Sequence, residues 1–149
     1  LERGTRGSAV GDINGDGRPD LLISAIDAPA ILGMNNAGSE NARLCLRLLG
    51  PLERKEDSPR TPRDGTGARC VLVVGEGPLE HALLSESYTA AGYQSSSSPW
   101  LHFGLGSAQS YESISIHWPS GAVLELEGGP ADRRLWIREG VGVIKEESL

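Results

Sequence analysis

Aromatic residues are scarce in this chain: one Phe, three Tyr and three Trp among 149 residues. Each ring that reaches the interior therefore carries a large share of the packing. Cysteine is rarer still. Cys45 and Cys70 are the only two, too few for a disulfide-dense secreted scaffold. Both lie in strand-like runs and read either as small buried hydrophobes or as one disulfide. A metal role is disfavoured, since neither has a Cys-x-x-Cys or histidine partner nearby. No apolar run approaches the ~20 residues of a membrane-crossing helix, so no membrane insertion is expected. No segment holds an apolar 3.6-residue period over three turns. Excess positive charge is missing too: 14 Lys and Arg stand against 20 Asp and Glu, a net charge of −6. That balance argues against nucleic acid as a partner. The one basic cluster (Arg54, Lys55, Arg60, Arg63, Arg69) is interleaved with Glu53, Glu56, Asp57 and Asp64 and reads as a solvated loop. No signal peptide is visible. The chain opens at Leu1 rather than Met, inside what reads as a repeated motif, and is expected to be a piece of a longer protein.

What is abundant is glycine, at 20 residues, with 9 prolines, in a chain that is 38% hydrophobic. This mixture can bury a core and punctuates short strands rather than long helices. Strands are expected over 8–11, 21–25, 30–34, 43–49, 68–74, 80–87, 100–103, 112–118, 122–127 and 135–138. Leu44, Leu46 and Leu48 alternate with Cys45 and Arg47; Ile114, Ile116 and Trp118 alternate with Ser113, Ser115 and His117. That is the half-buried antiparallel pattern. Turn chemistry separates the runs at Gly75-Glu76-Gly77-Pro78, Pro119-Ser120-Gly121 and Gly128-Gly129-Pro130. The expected fold is all-β, a β-sandwich or open barrel. Two parts are expected: 1–36, which carry an acidic loop, and 37–149, joined at Ala37-Gly38-Ser39-Glu40. The stretch 51–63, with three prolines and mixed charge, reads as a mobile surface loop.

The chemistry is concentrated in Asp12-Ile13-Asn14-Gly15-Asp16-Gly17-Arg18-Pro19-Asp20. Oxygen ligands fall at positions one, three, five and nine: Asp12, Asn14, Asp16 and Asp20. The carbonyl of Arg18, at position seven, would complete the set. Ca²⁺ takes six to eight oxygens, and alternate residues of a tight loop can aim side chains at one centre. Gly17 allows the sharp turn with positive φ. Crowded carboxylates repel unless a cation holds them. The alternative is a plain surface Asx-turn. The loop matches the first positions of an EF-hand, but position twelve, which should be a bidentate Glu, is Ile23, and the flanks look like strands. A strand–loop–strand calcium site fits better.

Other candidates read as structural. Gly104-Leu105-Gly106 has no strand–turn–helix context for a phosphate loop. Trp118-Pro119-Ser120-Gly121 lacks the Gly that a nucleophile elbow places two residues before its Ser. His81, His102 and His117 are scattered, with no carboxylate pair placed for acid–base work; His102, beside Phe103, is the one expected to be buried and hydrogen-bonded. Arg69 is expected to be buried against a carboxylate. Tyr93, Gln94, the run Ser95-Ser96-Ser97-Ser98 and Trp100 could form a sugar-binding face, although four serines more often make a flexible loop.

The pattern Asp-x-Asn-x-Asp-Gly-x-x-Asp followed by Leu-Leu-Ile-Ser resembles the calcium loop of FG-GAP/VCBS repeats, as in integrin-α-like propellers, over residues 6–36. Over 41–140, Asp64-Gly65-Thr66-Gly67-Ala68-Arg69, Gly92-Tyr93-Gln94-Ser95, Leu101-His102-Phe103-Gly104-Leu105-Gly106 and Trp118-Pro119-Ser120-Gly121 resemble the successive signatures of the ASPIC/UnbV domain, found after such repeats in the cartilage acidic protein family. The resemblance departs at Thr61-Pro62-Arg63, where relatives carry a Ser-Asn-Arg-like run. It implies part of a propeller blade followed by an all-β domain, in a secreted or extracellular, calcium-binding, non-catalytic module. In a bacterium the place would be the periplasm or cell surface. The implied partners are upstream blades of the same chain and an unknown protein or glycan of the matrix or a cell surface. The competing reading is an accessory domain of a secreted glycan-processing enzyme, which a carboxylate pair in a deep pocket would favour. Residues 1–36, as a lone partial blade, are expected to pack on the second part or stay mobile.

Overall fold

The computed structural model describes residues 4–37, 40–53, 60–75, 80–90 and 92–149. Within them the chain is all β, with no helix. Eleven strands form one three-stranded and two four-stranded sheets. The three-stranded sheet is an antiparallel meander of β1 (Thr5–Gly11), β2 (Asp20–Ala25) and β3 (Ile31–Gly33). The acidic loop joins β1 to β2, as the strand-like flanks predict.

The rest is a sandwich. One sheet has the order β11 (Gly142–Ser148), β10 (Arg133–Arg138), β4 (Ala42–Leu49), β7 (Trp100–Gly106). The other has the order β6 (His81–Glu86), β5 (Arg69–Val74), β8 (Ser110–His117), β9 (Val123–Pro130). Among the described residues neither sheet is closed, as expected of an all-β sandwich or open barrel, and the two sheets pack face to face. One pairing, β4 with β10, is parallel; a chain that leaves β4 and returns beside it after the whole second sheet arrives in the same direction.

Period-two patterning builds the core. Leu44, Leu46, Leu48, Leu101, Phe103, Leu135 and Ile137 of the first sheet meet Cys70, Leu72, Val74, Ile114 and Ile116 of the second. A fully buried Leu or Ile side chain contributes about 1.5–3 kcal/mol. The Asp64–Arg69 motif is part of this packing. Gly65 has φ +67°, and a Cβ there would stand 2.6 Å from the Leu48 carbonyl oxygen. Only glycine lets this turn lie directly on β4. Trp118-Pro119-Ser120-Gly121 is a β-turn as expected: the Gly121 N–H donates to the Trp118 carbonyl at 2.9 Å, with Gly121 at φ +91°. Gly104-Leu105-Gly106 ends β7.

Several expectations need correction. Strand β11 was not anticipated: it is an edge strand, exposed over most of its length, so no alternation marks it. Arg69 is not buried; its side chain is largely exposed and faces Glu86 at 3.4 Å across β5–β6. Cys45 and Cys70 are buried free thiols on strands of different sheets. The serine run is not a free loop, because Ser97 and Ser98 bond to β1, as described below. Expectations about Arg54, Lys55, Glu56, Asp57, the joint at Gly38 and Ser39, the turn at Glu76-Gly77-Pro78 and the centre of the 51–63 loop fall outside the described residues.

Candidate metal centre

Each acidic residue of the loop has its own partners. Asp12 folds the loop around its carboxylate. Its Oδ1 accepts the N–H of Gly15 at 2.8 Å and of Asp16 at 3.0 Å, and its Oδ2 accepts the N–H of Gly17 at 2.9 Å. The same Oδ2 accepts the guanidinium of Arg134, from β10. Gly15 and Gly17 take φ +77° and +82°, which turns these amides inward.

Asn14 and Asp16 share one edge of the loop, the Asn14 amide donating to Asp16 Oδ2 at 2.9 Å. Arg18 encloses Asp16: its N–H donates to Oδ1 at 2.9 Å and its guanidinium to Oδ2 at 2.6 Å. Burial works to raise the Asp16 pKa, but these bonds outweigh it, and the carboxyl lies below its ordinary value. The Arg18 Nε donates to the Asn35 carbonyl at 3.0 Å, tying the loop to the end of β3.

Asp20 is 1% exposed and works as a clamp. Its Oδ2 accepts the Ile13 N–H and its Oδ1 the Asn35 N–H, both at 2.8 Å. It thus ties the segment after β1 to the segment after β3 from the first position of β2.

The structure brings Asp12, Asn14, Asp16, Arg18 and Asp20 into one hydrogen-bonded loop. Among the described residues, no group of three or more His, Cys, Asp or Glu side chains is placed to hold an ion. Electrostatic crowding is met here by backbone amides and two arginines, Arg18 and Arg134. The donor chemistry still fits a hard cation, with three carboxylates and an amide oxygen on one short loop. Asp12, Asn14, Asp16, the Arg18 carbonyl and Asp20 would be the ligands.

The loop also sits on the sandwich. The face of the first sheet that points away from the core carries Arg43, Cys45, His102 and Arg134, neighbours by strand register. His102 Nδ1 stands 3.2 Å from the Gly17 carbonyl and 3.3 Å from Cys45 Sγ. Because a carbonyl can only accept, Nδ1 carries the proton. Burial lowers the His102 pKa, only partly offset by its bond to Gly17, so the ring is neutral at pH 7. Burial raises the Cys45 thiol to about 11, so it is a packed thiol and not a nucleophile. A Cβ on Gly17 would come within 2.8 Å of Leu149 Cδ1 and 2.9 Å of Arg43 Cδ, side-chain atoms that can shift, so it is the positive φ that favours glycine here. Beside the loop, the Val10 N–H donates to Ser97 Oγ at 3.1 Å and the Ser98 N–H to the Val10 carbonyl at 2.7 Å. Of the two outcomes expected for 1–36, packing on the second part is the one found.

Sequence reasoning anticipated a hydrogen-bonded His102, which is half-buried rather than buried, but not its partner, and it missed Arg134. The signal was present: extending the 135–138 alternation back by one residue puts Arg134 on the face of Trp136 and Arg138. The sugar-face idea fares differently. Trp100 is turned edge-on to Trp136, with centroids 4.9 Å apart, while Tyr93 is exposed on a separate turn. A cleft of about 330 Å³ opens beside the loop, lined by Gly17, Arg18, Asn41, Arg43, His102 and Phe103 among others, with no carboxylate among the described residues on its wall.

Two family models match the chain. The family model described as "ASPIC and UnbV" matches residues 58–144, more than half of the chain, and the model described as "FG-GAP repeat" matches residues 4–38. The central strand β4 lies between the two matched spans. No curated protein matches the chain.

Proposed function

From the premise that this chain belongs to the ASPIC and UnbV family and carries an FG-GAP repeat ahead of that domain, we propose that it is a non-catalytic, calcium-binding interaction module of an extracellular β-propeller protein. FG-GAP repeats are typically extracellular propeller elements and often bind calcium. The observation that carries the reading is the loop itself: the Asp-x-Asn-x-Asp-Gly-x-x-Asp segment joins two antiparallel strands, in the span that matches that repeat. Its ligands would be Asp12, Asn14, Asp16, the Arg18 carbonyl and Asp20. Calcium supplies charge neutralisation and rigidity there; the chain's own residues shape the loop.

The three-stranded sheet supports a place among other blades. Val10, Leu21 and Ile31 on one face, and Leu22 and Leu32 on the other, are each 39–47% exposed. A sheet apolar on both faces calls for cover on both, which neighbouring blades of the same protein would supply. The external partner of the module is a protein or glycan of the matrix or a cell surface.

Melting curves test the calcium reading. With a Kd near 10⁻³ M, the weak end of extracellular modules, 10 mM Ca²⁺ stabilises by about 1.4 kcal/mol. That corresponds to a rise in Tm of roughly 3–6 °C for a chain of this size. Superimposable melts in Ca²⁺ and in EDTA would overturn it.

A further inference from the structure

We propose that Arg134 of the sandwich and a divalent cation compete for the carboxylate of Asp12, so that cation uptake by the repeat loosens its seat on the ASPIC/UnbV domain. The inference rests on the calcium reading above and adds how occupancy is sensed.

A carboxylate offers about four lone-pair directions. Asp12 has four donors: the amides of Gly15 and Asp16 on Oδ1, and the amide of Gly17 with the Arg134 guanidinium on Oδ2. The three amides belong to the loop and travel with it. Arg134 is 122 residues away along the chain and is held on β10. A cation that needs an oxygen of Asp12 therefore displaces Arg134 most readily. Charge acts in the same direction, since a guanidinium beside a divalent cation is repelled. The arginine at Asp16 behaves differently: Arg18 lies two residues away and moves with the loop.

The other hydrogen bonds of the seat join neutral groups, Gly17 with His102 and Cys45 and Val10 with Ser97 and Ser98, beside the packing of Gly17 against the Arg43 and Leu149 side chains. Among the described residues the Arg134–Asp12 pair is the ion pair that joins loop and sandwich, with Asp12's side chain only 5% exposed. Linkage is reciprocal: if Arg134 weakens cation binding, the cation weakens docking by the same factor. Arg134 also stands 5.8 Å over the Trp100 ring, which makes that indole a reporter of its departure.

Calorimetric and tryptophan-fluorescence titrations of the whole chain with CaCl₂ decide, comparing wild type with Arg134→Gln. Arg134→Gln should bind calcium at least about fivefold more tightly, the lower end of ordinary site-to-site coupling. The calcium-dependent emission change of the wild type should disappear in it. Binding by Arg134→Gln alone would equally support the competition. Equal or weaker binding by Arg134→Gln, with the wild type binding, overturns the competition and leaves the calcium reading standing. Silence from both proteins in millimolar calcium overturns both. If Arg134→Gln folds poorly, the wild type still decides. Calcium should speed exchange of the Ser98 amide, which donates to Val10, and unchanged or slower exchange refutes the competition.

Discussion

Removing the Asp20 side chain should open the three-stranded sheet while leaving the sandwich intact. Asp20 receives two backbone N–H groups at 2.8 Å, from Ile13 and Asn35, in a position 1% exposed. Hydrogen bonds to a charged acceptor contribute about 1.5–3 kcal/mol each. Both amides are part-buried, so water recovers some of the loss in Asp20→Ala, leaving a cost of about 3 kcal/mol. Asp20→Asn keeps one acceptor oxygen and turns an amide NH₂ toward the other N–H, for a cost of about half that. The three tryptophans all lie in the sandwich, and Trp100 senses the loop only through Arg134, so their fluorescence does not report the β1–β2 ladder itself. Hydrogen exchange of the β1–β2 ladder amides does, measured in EDTA to keep cation effects out. At about 1.4 kcal/mol per factor of ten, Asp20→Ala should speed ladder exchange roughly 100-fold and Asp20→Asn roughly 10-fold, with sandwich amides unchanged. Ladder rates in Asp20→Ala within about twofold of wild type would refute the clamp.

Two further outcomes follow from the sandwich. Gly65→Ala places a Cβ 2.6 Å from the Leu48 carbonyl oxygen at φ +67°; the left-handed backbone alone costs about 1–2 kcal/mol, so the urea midpoint by tryptophan fluorescence should fall, and an unchanged midpoint would contradict the close approach. Burial pushes Cys45 up to about 11 and Cys70 up to about 12, from an ordinary 9.0. Above pH 9 the unfolded chain therefore releases these protons first, and the stability they contribute, complete below pH 9, is lost as pH rises toward 11–12. Cys70→Ala should flatten that decline relative to wild type, and an equally steep decline would refute the assignment.

The strands were legible where one face is buried and the other wet. In β4 and β8 the alternation of Leu44, Leu46 and Leu48, and of Ile114 and Ile116, leads directly to the observed core faces. It failed for β11, whose side chains are almost all exposed because an edge strand of this sheet has little burial to impose a pattern. The acidic loop was legible as a ligand pattern because its spacing is local: Asp12, Asn14, Asp16 and Asp20 sit within nine residues. What those carboxylates do with their charge was not. The expectation that only a cation could hold them together left out Arg134, whose nearness to Asp12 depends on the register of β10 against β4.

Local chemistry, then, was set by the sequence alone: which residues alternate, where glycines permit a turn, and which oxygens lie close along the chain. Tertiary structure decided what those groups meet. Ser97, Ser98, His102 and Arg134 each touch the repeat from 85 or more residues away. Such contacts arise from sheet order and from the seating of the acidic loop on the outer face of the first sheet. Neither leaves a periodic trace in the residues themselves, because a contact between distant strands constrains each partner's position and not its neighbours.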